Sequence, residues 1–181
     1  MPPFYDIYGL SKERTKKTIE TFLDFYCHRT EIENFISQGI EISIYKNDKY
    51  GVEEKFIPVH DLSEVIDYGL CHLNIGFAFY IGTKSNYRKD IDCVILKFTY
   101  DGKLIFGISI EENRLTDEGK LIDNYDRALE IEKTIAELTH STKTSIQFEY
   151  APSDDEEEFD NDIEMWRNMN DEKRKTNGKY H

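Results

Sequence analysis

The clearest pattern of apolar and polar positions lies in residues 93–110, where two apolar segments flank Asp101-Gly102. Residues opposite each other in a hairpin share one face of the sheet, so loop length decides which side chains lie together. A two-residue loop would divide the apolar residues between both faces. A three-residue loop with a G1 bulge, in which Gly102 is left-handed, unites them on one face and is therefore predicted. The predicted pairs are Phe98 with Leu104, Leu96 with Phe106, and Val94 with Ile108.

The other face of this hairpin carries mostly polar side chains, and we expect it to be at least partly exposed to solvent. Its residues are Lys97, Thr99, Lys103, Ser109 and Glu111.

Shorter alternating patterns predict the remaining strands. Isoleucines at every second position from Ile40 to Ile44 indicate a strand, and the polar segment Asn47–Gly51 predicts a turn into a second strand near Phe56. Further strands are predicted at 77–81 and 145–150, the latter ended by Pro152.

Helical spacing of apolar residues, together with capping residues, predicts four helices. The first is predicted from an N-cap at Ser11 to about Arg29, and the second begins at the capping sequence Asp61–Glu64 and stops near Gly69. A long helix is expected over 120–139, and a capping box at Ser153–Glu156 opens the last one. These elements predict a single-domain α+β fold, with a mainly antiparallel sheet and helices packed mostly on one face.

The domain boundaries predicted from this pattern are an α+β core at 1–152, an acidic amphipathic helix at 153–170 and a flexible tail at 171–181. The last helix carries an apolar stripe that must be buried against either its own domain or a partner. The stripe consists of Phe159, Ile163, Trp166 and Met169.

Charge narrows the possible partners. The 181 residues include 23 Lys and Arg against 36 Asp and Glu, for a net charge of −13, which disfavours nucleic acid and anionic membranes and favours basic proteins. We expect no secretion signal, because the N-terminal segment has neither a basic run nor an apolar stretch. An odd number of cysteines, three, argues against a disulfide framework and favours the reducing cytoplasm.

The chain contains few candidates for chemistry. Cys27-His28 and Cys71-His72 suggest zinc ligands, but adjacent residues on a helix point about 100° apart and cannot easily chelate one ion. His60-Asp61 and His140-Ser141 lie at predicted element boundaries, where such residues commonly serve as caps. The glycines form neither a dinucleotide-binding fingerprint nor a phosphate-binding loop. We expect no cofactor, no metal and no catalytic residue.

The densest charge feature is the start of the last helix, which we interpret as the partner-binding surface because a rigid acidic face can complement a basic protein. The alternative interpretation is an ordinary solvated helix face. The predicted contact residues are Asp154, Asp155, Glu156, Glu157, Glu158, Asp160 and Trp166.

Two segments, the N-terminal run Phe4–Thr15 and the strand-turn-strand Val94–Ile110, resemble in type the small acidic immunity proteins of bacterial contact-dependent and polymorphic toxin systems. The resemblance implies a cytoplasmic inhibitor that binds a basic cognate toxin domain, such as a nuclease, and blocks its active or substrate-binding site. The alternatives are an acidic adaptor, a nucleic-acid mimic from a mobile element, or a small hydrolase. The resemblance transfers no contact residue.

Overall fold

A computed structural model of the chain describes residues 3–48, 51–82 and 90–177. In chain order its elements are β1 (Phe4–Ser11), α1 (Lys16–Tyr26), α2 (Arg29–Ile36), β2 (Ile40–Asp48), β3 (Gly51–Val59), α3 (Leu62–Cys71), β4 (Phe77–Gly82), β5 (Cys93–Phe98), β6 (Leu104–Glu111), β7 (Asn113–Leu115), β8 (Leu121–Asp123), α4 (Tyr125–Thr139), β9 (Lys143–Phe148) and α5 (Glu156–Asn177).

Five of the strands form one antiparallel sheet in the order β4-β5-β6-β1-β9. Strands β5 and β6 pair Phe98 with Leu104, Leu96 with Phe106 and Val94 with Ile108. Gly102 has a φ of +83°, and its amide donates to the carbonyl of Thr99 over 3.3 Å. The three-residue loop with a left-handed glycine is therefore confirmed. The predicted pair of strands around residues 40–57 is also confirmed, as the hairpin β2–β3, although residues 49 and 50 of its turn lie outside the described part of the chain.

Strand β1 was not predicted, and the N-cap assigned to Ser11 is wrong. β1 lies between β6 and β9, and its residues from Tyr5 to Ser11 are all buried, so the segment lacks the alternation that marks a half-exposed strand. The hydroxyl of Ser11 donates to the carbonyl of Thr139 over 2.7 Å. Thr15 caps α1 instead, and α1 ends at Tyr26 rather than near Arg29, because Cys27 is extended.

Helices α1 to α4 cover one face of the sheet, and their buried side chains form the main core with β1, β5 and β6. The ring centroids of Phe22 on α1 and Phe106 on β6 are 4.8 Å apart. Gly69, predicted to stop α3, lies inside it, since the helix continues to Cys71. A Cβ atom at Gly69 would lie 2.2 Å from the ring of Phe98, so this glycine permits close helix–sheet packing.

The opposite face of the sheet is also covered, by the first half of α5. Phe159 is fully buried there against a second apolar cluster, which contains Tyr8, Leu10, Ile95 and Ile105. The expected exposure of the polar hairpin face is consequently wrong for Lys97, Thr99 and Ser109, which are all buried.

Several predicted element boundaries also require correction. The long helix α4 begins at Tyr125, because residues 121–123 pair with β7 in a further, small hairpin. The last strand runs from Lys143 to Phe148, and α5 extends to Asn177, past the boundary predicted at residue 170. Residues 178–181 lie outside the described ranges. The predicted fold class is confirmed, since the chain is a single α+β domain with an antiparallel sheet and most helices on one face.

None of the helices in the described part of the chain has the length and apolar character needed to cross a membrane.

Candidate partner-binding surface

The N-terminus of α5 is fixed by two side-chain caps. Asp155 accepts a hydrogen bond from the amide of Glu158 over 2.8 Å, and the carboxylate of Glu158 accepts one from the amide of Asp154 over 2.6 Å. The capping box predicted at Ser153–Glu156 is therefore displaced toward the C-terminus. The hydroxyl of Ser153 instead donates a hydrogen bond to the carboxylate of Asp162 over 2.6 Å, and both residues are buried.

Lys97, near the end of β5, forms the first ionic contact with this part of the chain. Its ammonium group lies 2.5 Å from Asp154, and its side chain is only 4% exposed. Burial lowers the pKa of Lys97, and the hydrogen bond to Asp154 opposes that shift. A buried ammonium needs a partner of opposite charge, so Asp154 compensates the charge of Lys97.

Glu156 lies between two lysines that reach it from different parts of the sheet. Lys103, after the β5–β6 turn, approaches to 2.8 Å, and Lys143, on β9, approaches to 2.9 Å. Lys143 also contacts Asp160 at 2.5 Å. The hydrogen bonds from Lys103 and Lys143 lower the pKa of Glu156 to about 2. This network holds the first turn of α5 against the sheet.

Replacing Glu156 with glutamine is expected to lower the free energy of unfolding at neutral pH by about 1 kcal/mol, a figure that allows for solvent screening. The ordinary pKa of this carboxyl group is 4.5, and its folded-state pKa is lower. Its ionic stabilisation is therefore complete above about pH 5 and disappears as pH falls toward 2. Urea denaturation at pH 7, 4 and 3 measures the difference between the two proteins. The adjacent, exposed Glu157→Gln is the matched control, and a difference equally large at pH 3 and pH 7 would contradict the ionic role.

The second half of α5 is held by polar contacts along the end of β9 and the start of α4. The side-chain amide of Asn170 donates to the carbonyl of Ile146 over 3.1 Å. Lys173 contacts Asp123 at 2.6 Å, and Arg174 contacts Glu132 at 2.9 Å. The helix is thus attached to the domain along most of its length.

The solvent-facing side of α5 presents a row of acids that we call the outer acidic stripe: Glu157, Glu164 and Asp171. They are seven residues apart, which is two helical turns, so they lie on one line of the helix surface. All three are exposed. Glu164 lies 4.0 Å from Arg167, a pair in which both side chains are largely exposed. In residues 3–48, 51–82 and 90–177, neither Glu157 nor Asp171 forms an ion pair.

The structure separates the seven predicted contact residues into two groups. Six of them make contacts within the domain. Asp154 and Glu156 pair with lysines, Asp160 pairs with Lys143, and Asp155 and Glu158 cap the helix. Trp166 packs edge-on against Tyr150, with the ring centroids 6.0 Å apart. Glu157 lies on the outer acidic stripe. Among the engaged residues, Glu158 and Asp160 remain exposed.

Sequence reasoning missed the lysines that neutralise part of the acidic run, Lys97, Lys103 and Lys143. No spacing signal connects them to residues 154–160, because the contacts join segments distant in sequence. It also missed Glu164 and Asp171 as members of one exposed line with Glu157, although their seven-residue spacing is visible in the sequence.

The structure shows where the histidines and cysteines considered for catalysis or metal binding lie. The amide of His60 donates to Glu64 at the start of α3, and His140 ends α4 in the left-handed conformation. Cys27 is buried, whereas Cys71 is exposed. Across the described ranges, no group of three or more His, Cys, Asp or Glu side chains is placed to hold a metal ion.

No protein-family model, curated protein or solved structure shows significant similarity to this chain.

Proposed function

We propose that this chain is a cytoplasmic immunity-type protein that binds a basic toxin domain and blocks its active or substrate-binding surface. The observation that carries the proposal is the outer acidic stripe, an exposed row of carboxylates on a helix that is fixed to its domain. The protein acts by binding and performs no catalysis.

Two physical properties support this role. A negative surface accelerates encounter with a positive one and disfavours wrong partners. A helix already held by the apolar contact of Phe159 and by lysine pairs loses little conformational entropy on binding, so more of the interaction energy is available for affinity.

The net charge also favours a protein partner over nucleic acid. The lysines near α5 are paired with its own carboxylates, and the stripe beside them would repel phosphate groups. The same charge is compatible with an adaptor or a nucleic-acid mimic, and these differ from an inhibitor in the number of partners that they bind.

Co-expression with the C-terminal domain of the protein encoded immediately upstream tests the proposal. We expect that domain to arrest bacterial growth when it is expressed alone, and this chain to restore growth and co-purify with it in a stoichiometric complex. A toxic domain that is neither bound nor neutralised would contradict the proposal. Binding to several unrelated DNA-binding proteins would indicate a nucleic-acid mimic instead.

A further inference from the structure

A second feature lies beside the start of α5, where the chain forms an open groove of about 630 Å³. We call it the tyrosine groove. Three parts of the fold build it: the β2–β3 hairpin, strands β4 and β5, and the segment that leads into α5. The lining residues used below are Tyr45, Glu54, Tyr80, Lys97, Tyr150, Asp154 and Glu158.

Two of its tyrosines are unusually exposed for large aromatic side chains. Tyr80 is 48% exposed and Tyr150 is 41% exposed, whereas Tyr5, Tyr8, Tyr26 and Tyr125 are at most 1% exposed. Tyrosine provides large contact area with few rotatable bonds, and it is enriched in the parts of interfaces that contribute most to binding. Among the residues that the structure describes, the groove therefore offers aromatic surface that no other side chain fully covers.

The charge of the groove favours a cation. Among its described lining residues are three carboxylates, those of Glu54, Asp154 and Glu158, and one lysine, Lys97. Asp154 already pairs with Lys97, whose side chain is buried. Glu54 and Glu158 are exposed, and they make the described lining of the groove net negative next to the tyrosine rings.

The groove already binds one cationic side chain, that of Lys97. Its ammonium nitrogen lies 4.4 Å from the ring centroid of Tyr45 and 2.5 Å from a carboxylate oxygen of Asp154. Tyr45 in turn donates a hydrogen bond to Asp154. An aromatic face combined with a carboxylate is a favourable environment for an ammonium or guanidinium group. Tyr80, Tyr150 and Glu158 provide the same two kinds of group, aromatic rings and a carboxylate, elsewhere in the groove lining.

We propose that the tyrosine groove receives an arginine or lysine side chain of the basic partner. The cation stacks on Tyr80 or Tyr150 and pairs with Glu158 or Glu54, and the outer acidic stripe guides the approach. This inference rests on the proposed function for the identity of the partner, and on the groove itself for the chemistry that is recognised.

A short peptide tests the groove without the partner. In an NMR titration of the ¹⁵N-labelled chain, Gly-Arg-Gly is expected to shift the backbone amide signals of residues 78–80, 150, 151, 153 and 154. The control is Gly-citrulline-Gly, which has nearly the same shape and no charge, and it should produce much smaller shifts. Tyr80→Phe keeps the ring and should retain the response, whereas Tyr80→Ala should reduce it. Shifts spread over exposed acids throughout the domain would overturn the proposal.

The complex with the toxin domain provides the second test. Tyr80→Ala is expected to weaken binding about tenfold or more, as for truncation of an aromatic contact at the centre of an interface. Phe56→Ala is the matched control, because Phe56 is 63% exposed on the β2–β3 hairpin and is not among the residues that line the groove. It should change affinity less than about twofold. Equal affinities for the wild type, Tyr80→Ala and Tyr150→Ala would contradict the groove and leave the proposed function intact. If the wild type does not bind the toxin domain, the proposed function fails, and the peptide titration alone decides the groove.

Discussion

Replacing Phe159 with alanine is expected to lower the free energy of unfolding by about 3–5 kcal/mol, as for other large aromatic residues removed from a core. Phe159 is fully buried and belongs to the second apolar cluster, with Tyr8, Leu10 and Ile95, and Ile163 of the same helix packs against that cluster. Its removal leaves a cavity between the helix and the sheet and exposes the polar face that α5 covers. Urea denaturation followed by far-ultraviolet circular dichroism measures the loss.

Met165 provides the control on the same helix, because its side chain is 53% exposed. Met165→Ala should change the free energy of unfolding by less than about 0.5 kcal/mol, the usual range for surface substitutions. A loss below about 1 kcal/mol for Phe159→Ala would show that α5 is not anchored through this contact. The rigid presentation of the outer acidic stripe would then lose its physical basis.

Reversing the charge of the outer acidic stripe is expected to have the largest effect on binding. The triple variant Glu157→Lys, Glu164→Lys and Asp171→Lys should slow association with the basic toxin domain by about 10- to 100-fold, because opposite charges steer encounter. Stability should change much less. The largest loss of stability is expected from Glu157→Lys, because a positive charge in the first helical turn interacts unfavourably with the helix dipole, by up to about 1 kcal/mol. Stopped-flow fluorescence measures the rate and thermal unfolding measures stability.

The control reverses three exposed acids away from α5: Glu41, Glu118 and Glu130. It changes net charge by the same amount, so any difference between the two triple variants reports the location of the contact. If the two variants slow association equally, long-range net charge accounts for steering and the stripe has no special role. If the stripe variant associates at the wild-type rate, α5 is outside the interface.

Much of the sheet could be predicted from sequence because turn residues and alternating polarity mark the β2–β3 and β5–β6 hairpins. The β5–β6 register followed from asking which loop length unites the apolar side chains, and the structure confirms that register. β1 escaped prediction for the opposite reason. No hairpin turn joins it to either neighbour, since β6 and β9 lie far away in sequence, and its residues from Tyr5 to Ser11 are buried without alternation.

The second face of the sheet illustrates a further physical limit. Lys97 and Ser109 are polar and were assigned to solvent, yet both are buried in the folded domain. Each is satisfied by a carboxylate far away in sequence, Asp154 for Lys97 and Asp6 for Ser109. Sequence periodicity reports the polarity of a face, whereas burial also depends on which distant segment covers it.

The candidate binding surface could likewise be predicted from sequence only in part. The acidic run was recognisable from composition, but the distribution of its carboxylates between internal lysines and solvent depends on tertiary contacts. The tyrosine groove had no signal in the sequence beyond an abundance of tyrosine, because its lining comes from three separated segments.

The central claim is that negative charge on a fixed surface recruits a basic protein, and the salt dependence of association tests it most directly. The association rate of the wild-type chain with the toxin domain should fall at least about tenfold between low and high ionic strength, since salt screens the steering field. The dissociation rate should change much less. An association rate that is independent of salt concentration would contradict the account.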